Sequence, residues 1–413
     1  MYLFLWRAIL IVLVLFGIGK IITNQMVSYY ESFVIKSDHA FIDKTLAWDP
    51  QNATALHAAA KQVMETDVPR AVELASRAYI GNVTNGQILL TLANLNLRAG
   101  NINKADAFAL QASRLEPTNP VLLFNLAVYW DNRGQPLNSM FYLSRNMEVR
   151  PSLQYEKFPN LLELAENPAL RNILLPQALN PPKWWDNFYR YLATTAASVD
   201  TVHFIIAMRR QSKVPLTNIE REATINRFIR DQDWSEAYIT WVGGLGPKQL
   251  PHLQNVYNGG FELPVTNTGF DWNFVNRPGV TIAQENSYGI SGNYALHLTF
   301  TGDEFVFNNV YQYLLLNPGT YMFSVAVRTD SLHGRGGLVW KLVCSNNPDT
   351  VLFTSKRLLG TNDWHSIAVQ FKIADKSCAS QILRLYSVGN TLYDNRLEGG
   401  AWFDGVQVLK TNK

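Results

Sequence analysis

The sequence predicts a multidomain protein in which an N-terminal transmembrane helix is followed by an all-α repeat solenoid and then by an all-β antiparallel sandwich. Three observations predict this order. They are an apolar run at the start of the chain, a 34-residue periodicity in its middle, and period-2 alternation near its end. We expect a membrane anchor at residues 1–24, a helical domain at residues 28–250 and a sandwich at residues 252–413.

The composition excludes several classes of protein. Hydrophobic residues make up 47% of the 413 residues and charged residues 17%, whereas a disordered chain has few apolar residues and many charges. Lysine and arginine number 36 against 33 acidic residues, so the net charge of +3 gives no electrostatic case for binding nucleic acid. Two cysteines exclude a dense disulfide framework and a metal site built from four thiolates.

The first element is an apolar segment long enough to cross a bilayer. Every residue from Ala8 to Gly19 is apolar or glycine, and the only charges between residues 2 and 22 are Arg7 and Lys20. Each of these cations lies close enough to an end to reach the lipid headgroups. The pattern therefore predicts an uncleaved membrane anchor.

The residues after the apolar run indicate whether the segment is cleaved as a signal peptide. A cleaved signal peptide ends in small residues, whereas Thr23–Tyr30 offers a poor cleavage site. A cleaved signal and a buried apolar segment are the alternatives. Arg7 favours a cytoplasmic N-terminus, although Lys20 follows the apolar run. We expect a single-pass protein of an inner membrane, with the bulk of the chain in the periplasm.

The second element is a helical repeat with a spacing of 34 residues. Pairs at this spacing include Leu89 and Leu123, Leu92 and Leu126, Ala93 and Ala127, Gly100 and Gly134, and Pro117 and Pro151. Two copies are clear, Gly86–Pro117 and Pro120–Pro151, and a poorer copy covers about residues 52–83. Because several positions recur together, the spacing predicts stacked helical hairpins.

The residue types at these positions resemble the tetratricopeptide repeat (TPR). The first helix of that repeat carries large, large, small and aromatic residues on one face, as do Leu123, Leu126, Ala127 and Trp130. Gly134 stands where the repeat turns into its second helix. The resemblance implies a TPR-like solenoid whose concave groove docks a partner protein that the sequence does not identify. An ordinary helical domain with accidental periodicity is the alternative.

Residues 154–245 keep a helical pattern but lose the clear period. Thr217 and Glu220 form a capping-box pattern before an apolar-periodic stretch, and residues 233–238 indicate the start of a further helix. A degenerate repeat or a cap of the solenoid fits this pattern, because terminal repeats are atypical. Nothing in the helical region indicates catalysis.

The third element begins where the composition changes, at Leu250–Pro251. Alternating runs predict strands at residues 295–300, 320–327, 337–344 and 366–371, and turn signals separate them. We count about eight to ten strands. That number of short strands predicts an antiparallel sandwich.

Four segments of this region resemble the jelly-roll carbohydrate-binding modules of xylanases and glucanases and their galactose-binding-like relatives. They are Tyr257–Glu262, Gly269–Trp272, Gly289–Leu296 and Ala401–Val408. The resemblance covers the whole C-terminal domain and is strongest at its two ends. It implies a jelly-roll fold and a polysaccharide ligand, although one fold hosts many functions.

The same resemblance implies a structural calcium near the first and last strands. Glu262 and Asp404 are the acids at the matching positions. Their carboxylate oxygens suit a hard cation. The alternative is that Glu262 only accepts hydrogen bonds from the neighbouring strand.

Glycan binding requires exposed aromatic rings that stack on pyranose faces. The candidates are Phe270, Trp272, Phe274, Trp340, Tyr386, Tyr393 and Trp402. We expect most of them in the core, since Trp340 and Trp402 share phase with aliphatic neighbours. Trp272 and Tyr393 lie in loop-like contexts, so these two, with Phe270, are the predicted glycan-binding residues.

Both cysteines, Cys344 and Cys378, fall in the β-rich region. A disulfide between them is plausible in an exported domain, and two buried free thiols are the alternative. A disulfide agrees with the anchor in placing this region outside the cytoplasm.

The function predicted from these parts is that of a membrane-anchored, non-catalytic scaffold of polysaccharide assembly or export in the cell envelope. The domain combination resembles repeat-containing membrane proteins found with bacterial exopolysaccharide systems. No catalytic or nucleotide-binding motif such as H-E-x-x-H or G-x-x-x-x-G-K-[ST] occurs. The alternatives are an adaptor with a structural jelly roll and, less favoured, an enzyme acting on a polysaccharide.

Overall fold

The computed structural model describes residues 2–36, 38–289, 291–374 and 377–411. The chain forms two compact units. The first ends at Gln177 and includes Pro181–Trp184, whereas the second contains Ala178–Asn180 and the chain from Trp185 onward. The last helices therefore belong to the same unit as the sandwich. The limit predicted from sequence at residues 250–252 falls between the last α-helix, which ends at Val242, and the first strand, which begins at Asn273. It stays a prediction.

The first unit is helical throughout its described part. Its helices are α1 Tyr2–Ile35, α2 Ile42–Trp48, α3 Ala53–Val63, α4 Val68–Gly81, α5 Gly86–Arg98, α6 Ile102–Leu115, α7 Pro120–Asn132, α8 Pro136–Val149 and α9 Gln154–Glu166, and a short α10, Leu175–Leu179, follows at the junction. Within α1, the stretch Ile9–Ile35 is long and apolar enough to cross a membrane. Length and composition support a membrane anchor or a signal sequence and do not fix its orientation.

The predicted 34-residue repeat is confirmed as three antiparallel helical hairpins, α3–α4, α5–α6 and α7–α8. The second helices begin at Val68, Ile102 and Pro136, at a constant spacing of 34 residues. Fully buried alanines line α4 and α6, among them Ala71 and Ala105, and small side chains allow the two helices of a hairpin to approach closely. An asparagine caps the first helix of each hairpin, at residues 52, 85 and 119, by accepting backbone N–H bonds.

Two further hairpins with similar spacing open the second unit. They comprise α11 Trp185–Thr195, α12 Val199–Arg210, α13 Asn218–Arg230 and α14 Trp234–Val242. The predicted capping box is present, because Glu220 N–H donates to Thr217 Oγ1 and Thr217 N–H donates to Glu220 Oε2. Glu220 Oε1 also accepts from Arg209 and from Trp185, so one buried carboxylate ties three helices together.

The sandwich consists of two five-stranded antiparallel sheets within the described residues. The strands are β1 Asn273–Phe274, β2 Val280–Asn286, β3 Tyr294–Thr301, β4 Val310–Leu314, β5 Gly319–His333, β6 Leu338–Cys344, β7 Val351–Thr354, β8 Gly360–Ile373, β9 Gln381–Ser387 and β10 Glu398–Lys410. The "β4 sheet" has the order β1-β4-β9-β6-β7, and the "β3 sheet" has the order β2-β3-β10-β5-β8. Aromatic and aliphatic side chains from both sheets fill the core between them. The predicted sandwich is confirmed.

The predicted disulfide is also confirmed, since Cys344 at the end of β6 is bonded to Cys378. The bond closes a 34-residue separation that contains β7 and β8. Disulfides persist in oxidising compartments, so this bond is consistent with a location outside the cytoplasm.

The expectation that Trp402 lies in the core is wrong. Trp402 is half-exposed on the outer face of the β3 sheet, where its ring stacks on His297 at 3.7 Å between centroids. The register of β10 against β5 shifts between Asp404 and Gln407, and Gly405 there has a φ of 58°. This bulge changes the phase of the strand, so Trp402 faces away from the buried Val406.

Candidate functional site

The outer face of the β4 sheet carries a group of tyrosines and cations. They are Tyr311 and Tyr313 on β4, Lys341 on β6, and Arg384 and Tyr386 on β9, and together we name them the tyrosine–cation platform. Each is half-exposed and lies between buried neighbours on its strand. Period-2 alternation therefore places all five on the same side of the sheet, opposite the core.

Strand register brings the members of the platform together. Arg384 lies directly opposite Tyr311 on one neighbouring strand and directly opposite Lys341 on the other. The Arg384 guanidinium carbon is 4.5 Å from the Tyr311 ring centroid and 5.8 Å from that of Tyr386. Lys341 Nζ is 5.1 Å from the Tyr386 centroid. These distances are those of cation–π contacts.

The two cations of the platform have no acidic partner in the part of the chain that the structure describes. No carboxylate oxygen of the described residues lies within 4.0 Å of Lys341 Nζ or of the Arg384 guanidinium. Arg384 Nε is buried and makes no hydrogen bond with the described part of the chain. Burial raises the pKa of Tyr313, so its hydroxyl stays neutral at physiological pH and can both donate and accept a hydrogen bond.

The platform continues toward helix α14 of the same unit. The Trp234 ring lies 5.5 Å from that of Tyr313, between centroids. A cavity of about 360 Å³ borders this end, and half of its lining residues are aromatic, among them Tyr238, Phe270 and Tyr313. The half-exposed aromatic surface thus extends from Tyr386 through the β4 tyrosines to Trp234.

The prediction that the Trp272 and Phe270 rings are exposed and stack on a sugar is wrong. Trp272 is 0% exposed, and its Nε1–H donates to the Asn258 carbonyl inside the sandwich. Phe270 is buried because α14 packs on it, with the Tyr238 and Trp241 rings at 5.1 and 5.7 Å between centroids. Neither ring can stack on a sugar without opening the structure.

The third predicted ring, Tyr393, is available. It is 51% exposed in a short 3₁₀ helix, Tyr393–Asn395, in the loop that follows β9. The Arg335 guanidinium carbon lies 5.1 Å from its ring centroid. A glycan contact at Tyr393 stays a prediction, and its loop follows the strand that carries Arg384 and Tyr386.

The two predicted metal-binding acids border the same glycine. A Cβ atom built on Gly260 would lie 3.6 Å from Asp404 Oδ1 and 3.9 Å from Glu262 Cγ. Glu262 Oε1 accepts the N–H groups of Asn293 and Tyr294, so it does bond the start of β3. Asp404 is buried, and its Oδ2 accepts the N–H of Ser291. The neighbouring residue of this segment, Ile290, lies outside the described residues.

The carboxylate oxygens at Asp404 and Glu262 suit a hard cation, but the described side chains alone provide too few ligands for one. Asp404 Oδ1 is buried and has no hydrogen-bond partner among the described residues, so this oxygen can act as a ligand. Burial raises the pKa of Asp404, with a further increase from the Glu262 charge. Among the described residues, no group of three His, Cys, Asp or Glu side chains could hold a metal. Calcium would therefore also need carbonyl oxygens or water.

A cavity of about 550 Å³ lies between α11 and α13 and is rich in arginine. Two of its three arginines, Arg227 and Arg230, are engaged in the fold. Arg227 donates to the carbonyls of Ala193 and Ala196 and to Asp231, and Arg230 donates to the Thr194 carbonyl. This cavity is therefore a weaker candidate for ligand binding than the platform.

The first unit has a groove lined by the first helices of its hairpins. A cavity of about 270 Å³ is bordered by Lys61, Leu90, Asn94, Asn125 and Val128, among others. The exposed apolar residues Val121, Phe124 and Val128 follow a helical spacing along α7. Amide and apolar groups together can bind an extended or helical segment of a partner.

Sequence reasoning misses the platform as a unit. It includes Tyr386 among the candidate rings but groups it with those expected in the core, and it does not select Tyr311, Tyr313, Lys341 or Arg384. The available signal is the alternation on β9, in which Leu383 and Leu385 are buried and Arg384 and Tyr386 are not. Alternation separates the two faces of a strand without showing which face lies against the second sheet.

Parts of this chain are similar to solved structures. A CBM4 structure matches at 19% identity and a TM-score of 0.27, covering 38% of this chain and 99% of its own. TmCBM61 in complex with β-1,4-galactotriose matches at 15% identity and a TM-score of 0.27, covering 38% and 100%. PilF of Pseudomonas aeruginosa matches at 15% identity and a TM-score of 0.30, covering 54% and 91%. No family model and no curated protein matches the sequence.

Proposed function

We propose that the protein binds glycan through the tyrosine–cation platform. The observation that carries this proposal is the alignment of Tyr311, Tyr313 and Tyr386 on one solvent-facing side of the β4 sheet. Aromatic rings of this kind stack on the apolar faces of pyranoses, and the phenol hydroxyls and the cations supply hydrogen bonds that orient the sugar. Tyr393 is a further contact in the loop after β9.

Retention of the full-length protein on immobilised polysaccharides, in a nonionic detergent, tests this proposal. We expect at least one polysaccharide to retain the protein and a Tyr311→Ala/Tyr386→Ala variant to bind about tenfold more weakly or worse. Tyr155→Ala is the matched control, because Tyr155 is an exposed tyrosine of α9 in the other unit. Failure of every polysaccharide to retain the protein would favour the adaptor alternative.

The groove of the first unit is the proposed docking site for a partner protein. Its support is the combination of exposed apolar residues on α7 with amide groups from α5 and α7. A photo-reactive residue at Val128 should yield a crosslinked protein adduct in cells, whereas the same residue at Leu110, exposed on α6, should not. Equal adducts from both positions, or none from Val128, would contradict the assignment.

The proposed setting is a membrane surface, with the folded units outside the cytoplasm. The support is the apolar helix α1 and the disulfide between Cys344 and Cys378. Carbonate extraction should leave the protein in the membrane pellet, and protease should reach it only after the outer envelope is opened. A carbonate-soluble product would contradict the anchor.

Within this setting the proposed role is that of a non-catalytic scaffold in polysaccharide assembly or export, which holds a glycan and a partner protein near the membrane. Deletion of the protein should lower the yield or export of a polysaccharide. Unchanged yield and export would contradict this role. The competing enzyme hypothesis predicts shorter products after incubation with the retained polysaccharide, and loss of those products on substitution of one acid.

A structural calcium is part of the proposal. Asp404 and Glu262 would hold it, and the ion would supply positive charge between two carboxylates that otherwise repel each other. The support is the buried Asp404 Oδ1, which has no hydrogen-bond partner in the described structure. Calcium should raise the thermal melting temperature of the protein, and chelator should lower it. An unchanged melting temperature would contradict the proposed calcium site.

A further inference from the structure

We infer that the glycan bound at the tyrosine–cation platform carries acid groups, which Arg384 and Lys341 recognise. This inference rests on the proposed function, because it names the chemical class of ligand for the same surface. The ligand is a polysaccharide with carboxylate or sulfate groups on its sugars, in contrast to a neutral glucan or galactan.

The platform cations have no acidic partner among the described residues. Two other buried or half-buried arginines do have one: Arg133 lies 3.0 Å from Asp106, and Arg209 lies 2.6 Å from Glu220. Arg384 and Lys341 make no ion pair and no hydrogen bond within the described residues, and Arg384 Nε is buried. A buried donor without an acceptor carries a desolvation cost that a bound acid group would remove.

The positions of the two charges also favour an acidic ligand. Arg384 and Lys341 are directly opposite each other on adjacent antiparallel strands, where like charges repel. A single carboxylate placed between them would be attracted to both. The planar guanidinium can bind both oxygens of a carboxylate, and the ammonium adds a second point charge. Tyr311 and Tyr386 lie beside these cations and can stack on the sugar ring that carries the acid.

The outer face of the β3 sheet provides an internal comparison. Arg328 there lies 4.7 Å from the Tyr288 ring centroid and 4.5 Å from that of Trp402. Its register partner on β10 is Trp402 rather than a second cation. On the same face His297 already contacts the carboxylate of Glu285 at 2.9 Å. Arg328 Nε, like Arg384 Nε, is buried without a hydrogen-bond partner in the described structure. The β4 sheet differs because two cations without an acidic partner, Lys341 and Arg384, lie directly opposite each other there.

The test compares retention of the full-length protein on agarose coupled to polygalacturonate, dextran sulfate or neutral galactan. We expect retention on polygalacturonate or dextran sulfate that weakens as salt concentration rises, since salt screens exposed charges. The first two supports distinguish a carboxylate from a sulfate ligand. The Lys341→Gln/Arg384→Gln variant should bind the acidic support about tenfold more weakly or worse.

Lys372→Gln/Lys410→Gln is the matched control, because it removes the same two positive charges from exposed positions of the β3 sheet. Thermal melting checks that each variant is folded, and Lys341→Gln alone replaces the double variant if that variant does not fold. Equal loss in the control and the platform variant would overturn the inference, as would unchanged retention of the platform variant. Retention on galactan alone would overturn it and leave the proposed function standing. No retention on any of the three supports would overturn the inference, and failure of every other polysaccharide as well would overturn the proposed function.

Discussion

Lys341 on β6 lies directly opposite Arg384 on β9, and no carboxylate of the described chain lies within 4.0 Å of either side chain. Directly opposite like charges destabilise a sheet, so this arrangement has a cost that the fold alone does not explain. We assign that cost to ligand recognition. Sites that bind charged ligands commonly keep groups that are unfavourable in the free protein.

A double-mutant cycle on Lys341 and Arg384 should reveal the repulsion. Each change to glutamine removes the same unfavourable contact. The double variant is therefore expected to be about 0.2–1 kcal/mol less stable than the sum of the single changes predicts. Denaturant unfolding at low salt measures this coupling, and added salt should reduce it. Additive changes, or coupling of the opposite sign, would show that the pair is not repulsive.

Trp272→Ala should act on stability. The side chain is fully buried and contacts the rings of Phe261 and Trp340, so truncation is expected to cost about 3–5 kcal/mol. Tyr393→Ala, at an exposed ring, should change the free energy of unfolding by less than about 0.5 kcal/mol. Denaturant unfolding of both variants makes the comparison. A small effect of Trp272→Ala would contradict its placement in the core.

Asp404→Asn should stabilise the calcium-free protein and abolish stabilisation by calcium. Burial raises the pKa of Asp404 in the folded state above its unfolded value. The native state therefore binds more protons between these two pKa values, and stability falls as pH rises through that window. Asparagine removes this dependence. Melting temperatures with calcium and with chelator, recorded from mildly acidic to neutral pH, test the prediction. A chelator-treated variant less stable than wild type across this range would contradict it.

His57 should make the first unit sensitive to acid. Burial, with a further effect of the Lys61 charge, lowers the pKa of His57 to about 3, and its Nε2 lies 2.8 Å from Thr91 Oγ1. Unfolded histidine binds a proton near pH 6.5, so the native state loses up to about 1.4 kcal/mol per pH unit below that value. His57→Gln should flatten this part of the stability profile. An unchanged slope between about pH 6.5 and about pH 5 would assign the acid sensitivity to other groups.

Loss of the disulfide between Cys344 and Cys378 should destabilise the sandwich. Closing a 34-residue separation removes chain entropy worth about 4 kcal/mol in the simple loop model. Cys344→Ser/Cys378→Ser is therefore expected to lower the denaturant midpoint, and a reducing agent should do the same to the wild type. Equal midpoints with and without reductant would show that the bond contributes little.

The sequence predicts well those features that arise from a physical requirement recurring at regular intervals along the chain. Ala71 and Ala105 occupy equivalent positions because each helical hairpin must close on small side chains, and that requirement recurs every 34 residues. The strands likewise follow from alternation, since one face of each must be buried. The pairing of Cys344 with Cys378 is plausible from sequence because both fall within one predicted domain.

The site is predicted less well because exposure depends on tertiary packing. Phe270 is a predicted glycan-binding ring, but α14 of the same unit covers it. Trp272 also follows a loop, yet its indole N–H is satisfied by a carbonyl inside the sandwich. The bulge after Asp404 shifts the alternation of buried and exposed side chains along β10, so Trp402 faces outward. None of these three outcomes leaves a signal in local residue patterns.

A crystal structure of the protein with trigalacturonate provides the sharpest test of acid recognition by the platform. We predict sugar rings stacked on Tyr311 and Tyr386, with a carboxylate within hydrogen-bond distance of Arg384 and Lys341. A ligand bound on the β3 sheet, or bound on the β4 sheet with its carboxylates turned away from both cations, would contradict this assignment.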